Sequence, residues 1–169
     1  MTNLNESISI ALEMEKEGYD HYINVARHTR NELAKKTLEA IAAKEIDHMK
    51  AIEKFATDVQ AAIQMIHPQD KKEYLKPIMD QLQGRLQKEV QVDTDLTKAY
   101  EVAMTLEQAS AALYTKLAAQ TNDPQSKQFF EFLTKEENIH FELLQDTLQY
   151  LNHPADWFRY EEKWIVEGG

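Results

Sequence analysis

The 169-residue chain has no cysteine. That absence removes disulfides, thiolate catalysis, iron-sulfur clusters and every cysteine-based zinc site, and it leaves the redox compartment unread. Glycine and proline are scarce, four of each, so few positions are marked for tight turns. Basic residues are outnumbered, 19 against 29 acidic ones, for a net charge of -10. A broadly acidic surface repels phosphate backbones and anionic lipid, which argues against a nucleic-acid or membrane partner. Nor is there an apolar run of about 18 residues, the length that spans a bilayer. The N-terminal stretch MTNLNESISIALEMEKEG also lacks the basic start and apolar run of a signal sequence, so a soluble, cytoplasmic protein is expected.

What is present favours helix. Hydrophobic residues make up 43% and charged residues 28%, with Ala, Leu, Glu, Lys and Gln abundant. A first helix is expected from a cap at Asn3 or Asn5 to about Ala26 or His28, and a second, capped by Asn31, from Leu33 to Ile66, stopped by His67-Pro68. Pro68, Pro77 and Gly84 then interrupt any single long helix, leaving a crossover at about 67–93 with a short helix near Ile78 to Val90. A third helix, capped by Asp93 or Thr94, should reach Ala119. A fourth should start at the Asp123 cap with Pro124 in its first turn and end near Leu151. Two short breaks and one long connection describe two antiparallel helix pairs joined by a crossover. This is an all-α four-helix bundle over residues 1–152, followed by an aromatic tail at 153–169.

Within that bundle the chain repeats itself. A shift of 92 residues superposes Glu15 on Glu107, Tyr22 on Tyr114, Glu45 on Glu137 and His48 on His140. With 19 Glu and six His, roughly 0.7 Glu-x-x-His matches arise by chance, so that motif alone means little. Yet of seven tyrosines only Tyr22 and Tyr114 have a glutamate seven positions earlier, and each such glutamate precedes a Glu-x-x-His pair by thirty residues.

Helical phase agrees. At about 100° per residue, Ile8, Ala11, Tyr19, Tyr22 and Ala26 share the side of Glu15, whereas Glu13 and Glu17 face away. Tyr100, Ala103, Ala111, Tyr114 and Ala118 share the side of Glu107. Phe130, Leu133, Phe141, Leu144 and Leu148 share that of Glu137, and Leu38, Ile41, Met49 and Ile52 that of Glu45. Each long helix therefore carries one glutamate in the middle of its apolar stripe.

Four inward carboxylates cannot all stay ionised in a dry core, so they must bind protons or cations. Two divalent ions would cancel four negative charges. His48 and His140 lie close enough around their helices for the Glu and His of one turn to grip the same ion. Oxygen and nitrogen donors without sulfur favour iron or manganese, with zinc as a substitute.

This residue set resembles the ferritin-like, non-haem diiron proteins and, among them, the rubrerythrin diiron domain, over about Ile8 to Leu151. The resemblance implies a ferritin-like bundle with two iron ions. Glu15 and Glu107 would be the carboxylates of the first and third helices, Glu45 and Glu137 the bridging carboxylates, and His48 and His140 the terminal imidazoles. Tyr22 and Tyr114 match the tyrosines that hydrogen-bond ligand carboxylates in that family. Two departures stand out. The family's usual further glutamate, three residues after the third-helix ligand, is Ser110 here. A rubredoxin-like domain is not expected either, because no cysteine is present to hold its iron. The expected electron source is therefore an external donor protein.

Three functions follow. The first is reduction of hydrogen peroxide, or dioxygen, at the diiron site. The second is ferroxidase-type iron handling, with iron as substrate. The third is a non-catalytic, metal-stabilised bundle. A homodimer or larger homo-oligomer is expected, and helix pairs could exchange through the long connection. The remaining histidines, His21, His28, His67 and His153, read as surface or capping residues. Asp47 and Glu136 flank the motifs but point away from them by phase and read as solvated. Trp157, Phe158, Tyr160 and Trp164 of the tail read as a cover for one end of the bundle or for a symmetry mate.

Overall fold

The computed structural model describes residues 4–82 and 94–153. Six helices occupy them: α1 Leu4–His28, α2 Glu32–Phe55, α3 Val59–Met65, α4 Lys71–Leu82, α5 Thr94–Gln120 and α6 Pro124–Asn152. The four long helices pair as α1 with α2 and α5 with α6, and the pairs meet through α1 against α5 and α2 against α6. The fold is an all-α, ferritin-like bundle.

Capping chemistry fixes where the second helix of each pair begins. The Asn31 side chain accepts a hydrogen bond from the Ala34 N–H at 2.9 Å. The Asp123 side chain does the same for the Ser126 N–H at 2.8 Å. Each cap satisfies an amide that has no partner within its helix, an effect of about 1 kcal/mol. The two positions are 92 residues apart, so the repeat extends to the helix starts.

The expected second helix, Leu33 to Ile66, is in fact two. The chain leaves α2 at Phe55, and the Asp58 side chain accepts from the Ala61 N–H at 3.0 Å to start α3. Apolar periodicity runs through this point because α2 and α3 both pack on the same core. The capping aspartate, not a change of pattern, marks the break.

The crossover helix also differs from expectation. It runs from Lys71 to Leu82, earlier than the anticipated Ile78 to Val90, and Pro77 lies inside it. Proline removes one backbone hydrogen bond. Here its ring is exposed, while Tyr74, Leu75, Ile78 and Leu82 bury the opposite face against α2 and α6. Each large apolar side chain buried is worth roughly 1.5–3 kcal/mol, enough to outweigh that loss. The expected cap at Asp93, the break at Gly84 and the aromatic tail lie outside the described residues.

Two apolar clusters fill the bundle. One gathers Tyr22, Leu38, Ile41, Tyr74, Tyr100 and Leu144 with their neighbours. The other gathers Ala11, Ile52, Phe55, Tyr114, Phe129 and Leu133 with theirs. The glutamates and histidines of the repeat lie between the two clusters along each long helix.

Candidate metal centre

Each long helix contributes to that intervening layer from the middle of its buried stripe. Glu15 comes from α1, Glu45 and His48 from α2, Glu107 from α5, and Glu137 and His140 from α6. All six are between 0% and 3% exposed. At this burial an unpaired charge costs several kcal/mol, so the side chains must compensate one another or hold an ion.

They converge in two overlapping groups. Donor atoms of Glu15, Glu45, His48 and Glu137 lie within 4.8 Å of one another, and so do those of Glu45, Glu107, Glu137 and His140. Glu45 and Glu137 belong to both groups. His48 Nδ1 is 3.1 Å from Glu15 Oε2 and 3.1 Å from Glu137 Oε1. His140 Nδ1 is 3.3 Å from Glu45 Oε1 and 3.5 Å from Glu107 Oε2. The imidazoles stack nearly parallel, with centroids 5.6 Å apart and planes at 16°.

The tyrosines are exchanged between the halves. Tyr22 of α1 donates to Glu107 Oε1 of α5 at 2.6 Å, and Tyr114 of α5 donates to Glu15 Oε1 of α1. Burial pushes both phenols above their ordinary range, and the facing carboxylates push them further, so they stay donors. Position 18 on α1 and position 110 on α5 correspond in the repeat, and both hold small residues, Gly18 and Ser110. A Cβ at Gly18 would meet the Tyr22 ring at 3.4 Å, so a small residue there lets the ring lie close to the helix.

Charge is distributed unevenly among the carboxyls. Burial, reinforced by the neighbouring glutamates, holds Glu45 and Glu137 well above the ordinary carboxyl range. For Glu15, burial also opposes ionisation, but the Glu45 hydrogen bond and the His48 charge overcome it and hold the carboxyl at about 2. Glu107 is lowered likewise, against burial, by His140 and by hydrogen bonds from Glu137 and Tyr22. Burial works against a charge on His48, yet Glu15 and Glu137 push its imidazole well up.

Protons alone leave this cluster poorly satisfied. Glu45 Oε1, Glu107 Oε2, Glu137 Oε1 and His140 Nδ1 are buried without a hydrogen-bond partner. Each such orphan costs about 1–3 kcal/mol. The three oxygens crowd the imidazole Nδ1 atoms, at 3.1 to 3.5 Å. Convergent oxygen and nitrogen lone pairs with no donor to meet them are what a pair of hard or borderline cations would satisfy. The donor set fits a dinuclear metal centre.

The flanking residues divide. Asp47 is exposed and lies 3.9 Å from Lys50. Glu136, read from phase as solvated, is instead 1% exposed. Its Oε1 accepts from the Gln69 N–H at 2.7 Å and its Oε2 from the Tyr74 hydroxyl at 3.0 Å. Phase measured from Glu137 alone put it on the flank of α6, and α4 covers that flank. The Glu-Glu doublet at 136–137, against Lys-Glu at 44–45, was the one available signal. His21 is half-buried, its Nε2 2.9 Å from the Ala99 carbonyl oxygen, which ties α1 to α5. His28 lies at the end of α1 with Nδ1 2.7 Å from the Asn24 carbonyl oxygen, His153 closes α6, and His67 is exposed.

Among the described residues no helix is long and apolar enough to cross a membrane. No curated protein and no solved structure matches the chain. The sequence model of the rubrerythrin family, in contrast, matches residues 6–148, nearly the whole bundle with all six of these glutamates and histidines, and the chain belongs to that family.

Proposed function

We propose that the chain holds two iron ions and reduces hydrogen peroxide, with dioxygen as an alternative oxidant and electrons from an external donor protein. The observation that carries this reading is the pair of overlapping four-residue groups sharing Glu45 and Glu137. Manganese or zinc could substitute for iron in such a donor set.

In this reading Glu45 and Glu137 span both ion positions. Glu15 with His48, and Glu107 with His140, complete one position each. Tyr22 and Tyr114 hold the outer carboxylates by their far oxygens, which limits how those carboxylates can swing. The apolar clusters above and below keep bulk water from the layer. Bound there, the ions would supply the two electrons by which one peroxide and two protons become two waters.

Ferroxidase-type handling, with iron as the substrate, is the second reading. The balance of the two halves favours it, because Ser110 stands where rubrerythrins usually carry a further carboxylate and each half offers the same three ligands, two glutamates and one histidine. The experiment is metal analysis of protein from iron-grown cells, followed by peroxide turnover with an external reductant. Two irons per chain and multiple turnovers support the peroxidase. Accumulation or release of ferric iron supports ferroxidase handling. Metal that changes only thermal stability supports a structural role.

A further inference from the structure

We propose that Glu136 is a positioning residue for both imidazoles of the centre, and that the crossover holds it there through Gln69 and Tyr74. The inference rests on the dinuclear reading above.

Glu136 belongs to neither of the two overlapping groups, but its carboxylate forms a third with His48 and His140, donor atoms again within 4.8 Å of one another. Its carboxylate sits behind the imidazoles, on the side away from the four glutamates. Oε2 is 3.7 Å from His48 Nε2 and 3.9 Å from His140 Nε2. The Tyr74 oxygen is 3.0 Å from that same Glu136 oxygen and 3.0 Å from His140 Nε2. The Tyr74 ring meets the His140 ring edge-on, at 88° and 5.6 Å between centroids.

Counting hydrogens gives the contacts a direction. A carboxylate only accepts, and a phenol has a single hydrogen. The Tyr74 hydrogen therefore goes to Glu136, and the Tyr74 oxygen must accept from His140. His140 then carries a hydrogen on Nε2 and presents Nδ1 to Glu45, Glu107 and Glu137. His48 Nε2 is buried without a hydrogen-bond partner and faces the same acceptor oxygen at 3.7 Å, which favours a hydrogen on Nε2 there as well. One carboxylate thus sets the tautomer and tilt of both rings, one directly and one through a phenol.

The device breaks the internal repeat. The residue matching Glu136 in the first half is Lys44, whose Nζ lies 6.0 Å from the centroid of the Tyr74 ring instead of meeting an imidazole. Only one orienting carboxylate serves two histidines. Its other oxygen is held by Gln69, next to α4, and among the described residues α4 packs on α2 and α6, the two helices that carry the histidines.

A purely structural hook between α4 and α6 would use the same two hydrogen bonds, so the test must read the imidazoles themselves. Co2+ is added to the full chain, to Tyr74→Phe and to Glu136→Gln. Affinity is measured against a competing chelator, and the hyperfine-shifted imidazole N–H protons are followed by NMR in water. The wild type should take two Co2+ ions and show two slowly exchanging N–H signals. Tyr74→Phe should speed exchange of one signal only, that of His140. Glu136→Gln cannot accept on both sides, so both signals should exchange rapidly and affinity should fall about tenfold to a hundredfold. Two unchanged signals in both variants, with affinity within about twofold of wild type, would overturn the proposal while leaving the metal centre standing. A wild type that takes up no Co2+ would overturn the centre itself, and this inference with it.

Discussion

Tyr22 on α1 donates to Glu107 on α5, while Tyr114 on α5 donates to Glu15 on α1. Each tyrosine thus anchors the carboxylate contributed by the other half of the repeat. Replacing either by phenylalanine leaves a buried carboxylate oxygen without its donor, at a cost of about 1–3 kcal/mol. Urea denaturation of the metal-free protein should show that loss for Tyr22→Phe and for Tyr114→Phe alike. Equal stability of both variants and wild type would refute the crossed anchoring.

Membership of one group or of both separates the glutamates by stoichiometry. Glu15→Ala should leave the Glu45, Glu107, Glu137 and His140 group able to bind one ion, whereas Glu45→Ala should lose both. Inductively coupled plasma analysis after loading with Mn2+ distinguishes one ion per chain from none. Glu45→Ala also removes a carboxyl crowded by other acids, so metal-free Glu45→Ala should be no less stable than wild type.

Stability of the metal-free protein should fall as pH rises. Glu45, Glu137 and His48 all have folded-state values raised above their ordinary ones, by burial and acidic neighbours for the carboxyls and by Glu15 and Glu137 for the imidazole. A raised value means that the folded state holds the proton more tightly, so its contribution is complete below the unfolded value and disappears as pH climbs through the folded one. Glu15 acts in the opposite sense. Its stabilisation is present above the ordinary carboxyl range and is lost as pH falls towards about 2. Thermal melts of metal-free protein should therefore decline as pH is raised beyond the ordinary carboxyl range, where surface carboxylates no longer titrate.

Loading the centre should expel those same protons. Ligands bind metal deprotonated, so the two ions must displace hydrogen from Glu45, Glu137 and His48. Calorimetric titration with Mn2+ in two buffers of different ionisation enthalpy should report net proton release on binding. Apparent affinity should rise with pH. A buffer-independent heat would contradict the assigned proton positions.

The sequence made the repeat legible because the repeat is local chemistry. Asn31 and Asp123 cap their helices by reaching three residues ahead, and Glu15 stands out because its stripe is otherwise apolar. The break at Asp58 was hidden because α3 keeps burying apolar residues after the chain turns. The crossover was harder still, since Pro77 usually argues against a helix interior and only packing on α2 and α6 reverses that. Glu136 was misplaced because helical phase describes one helix alone, whereas its burial comes from Gln69 and Tyr74, which are more than sixty positions away.

The two apolar clusters carry a further consequence for how the bundle unfolds. A core normally gains its cooperativity from continuous contact, but here a band of acids and imidazoles interrupts it between the Leu38 side and the Phe129 side. Without ions that band keeps buried polar atoms unpartnered, and with ions it would bind all four long helices at one level. Cations should therefore do more than raise a melting temperature. They should sharpen the transition, turning two loosely coupled ends of a bundle into one unit that opens all at once.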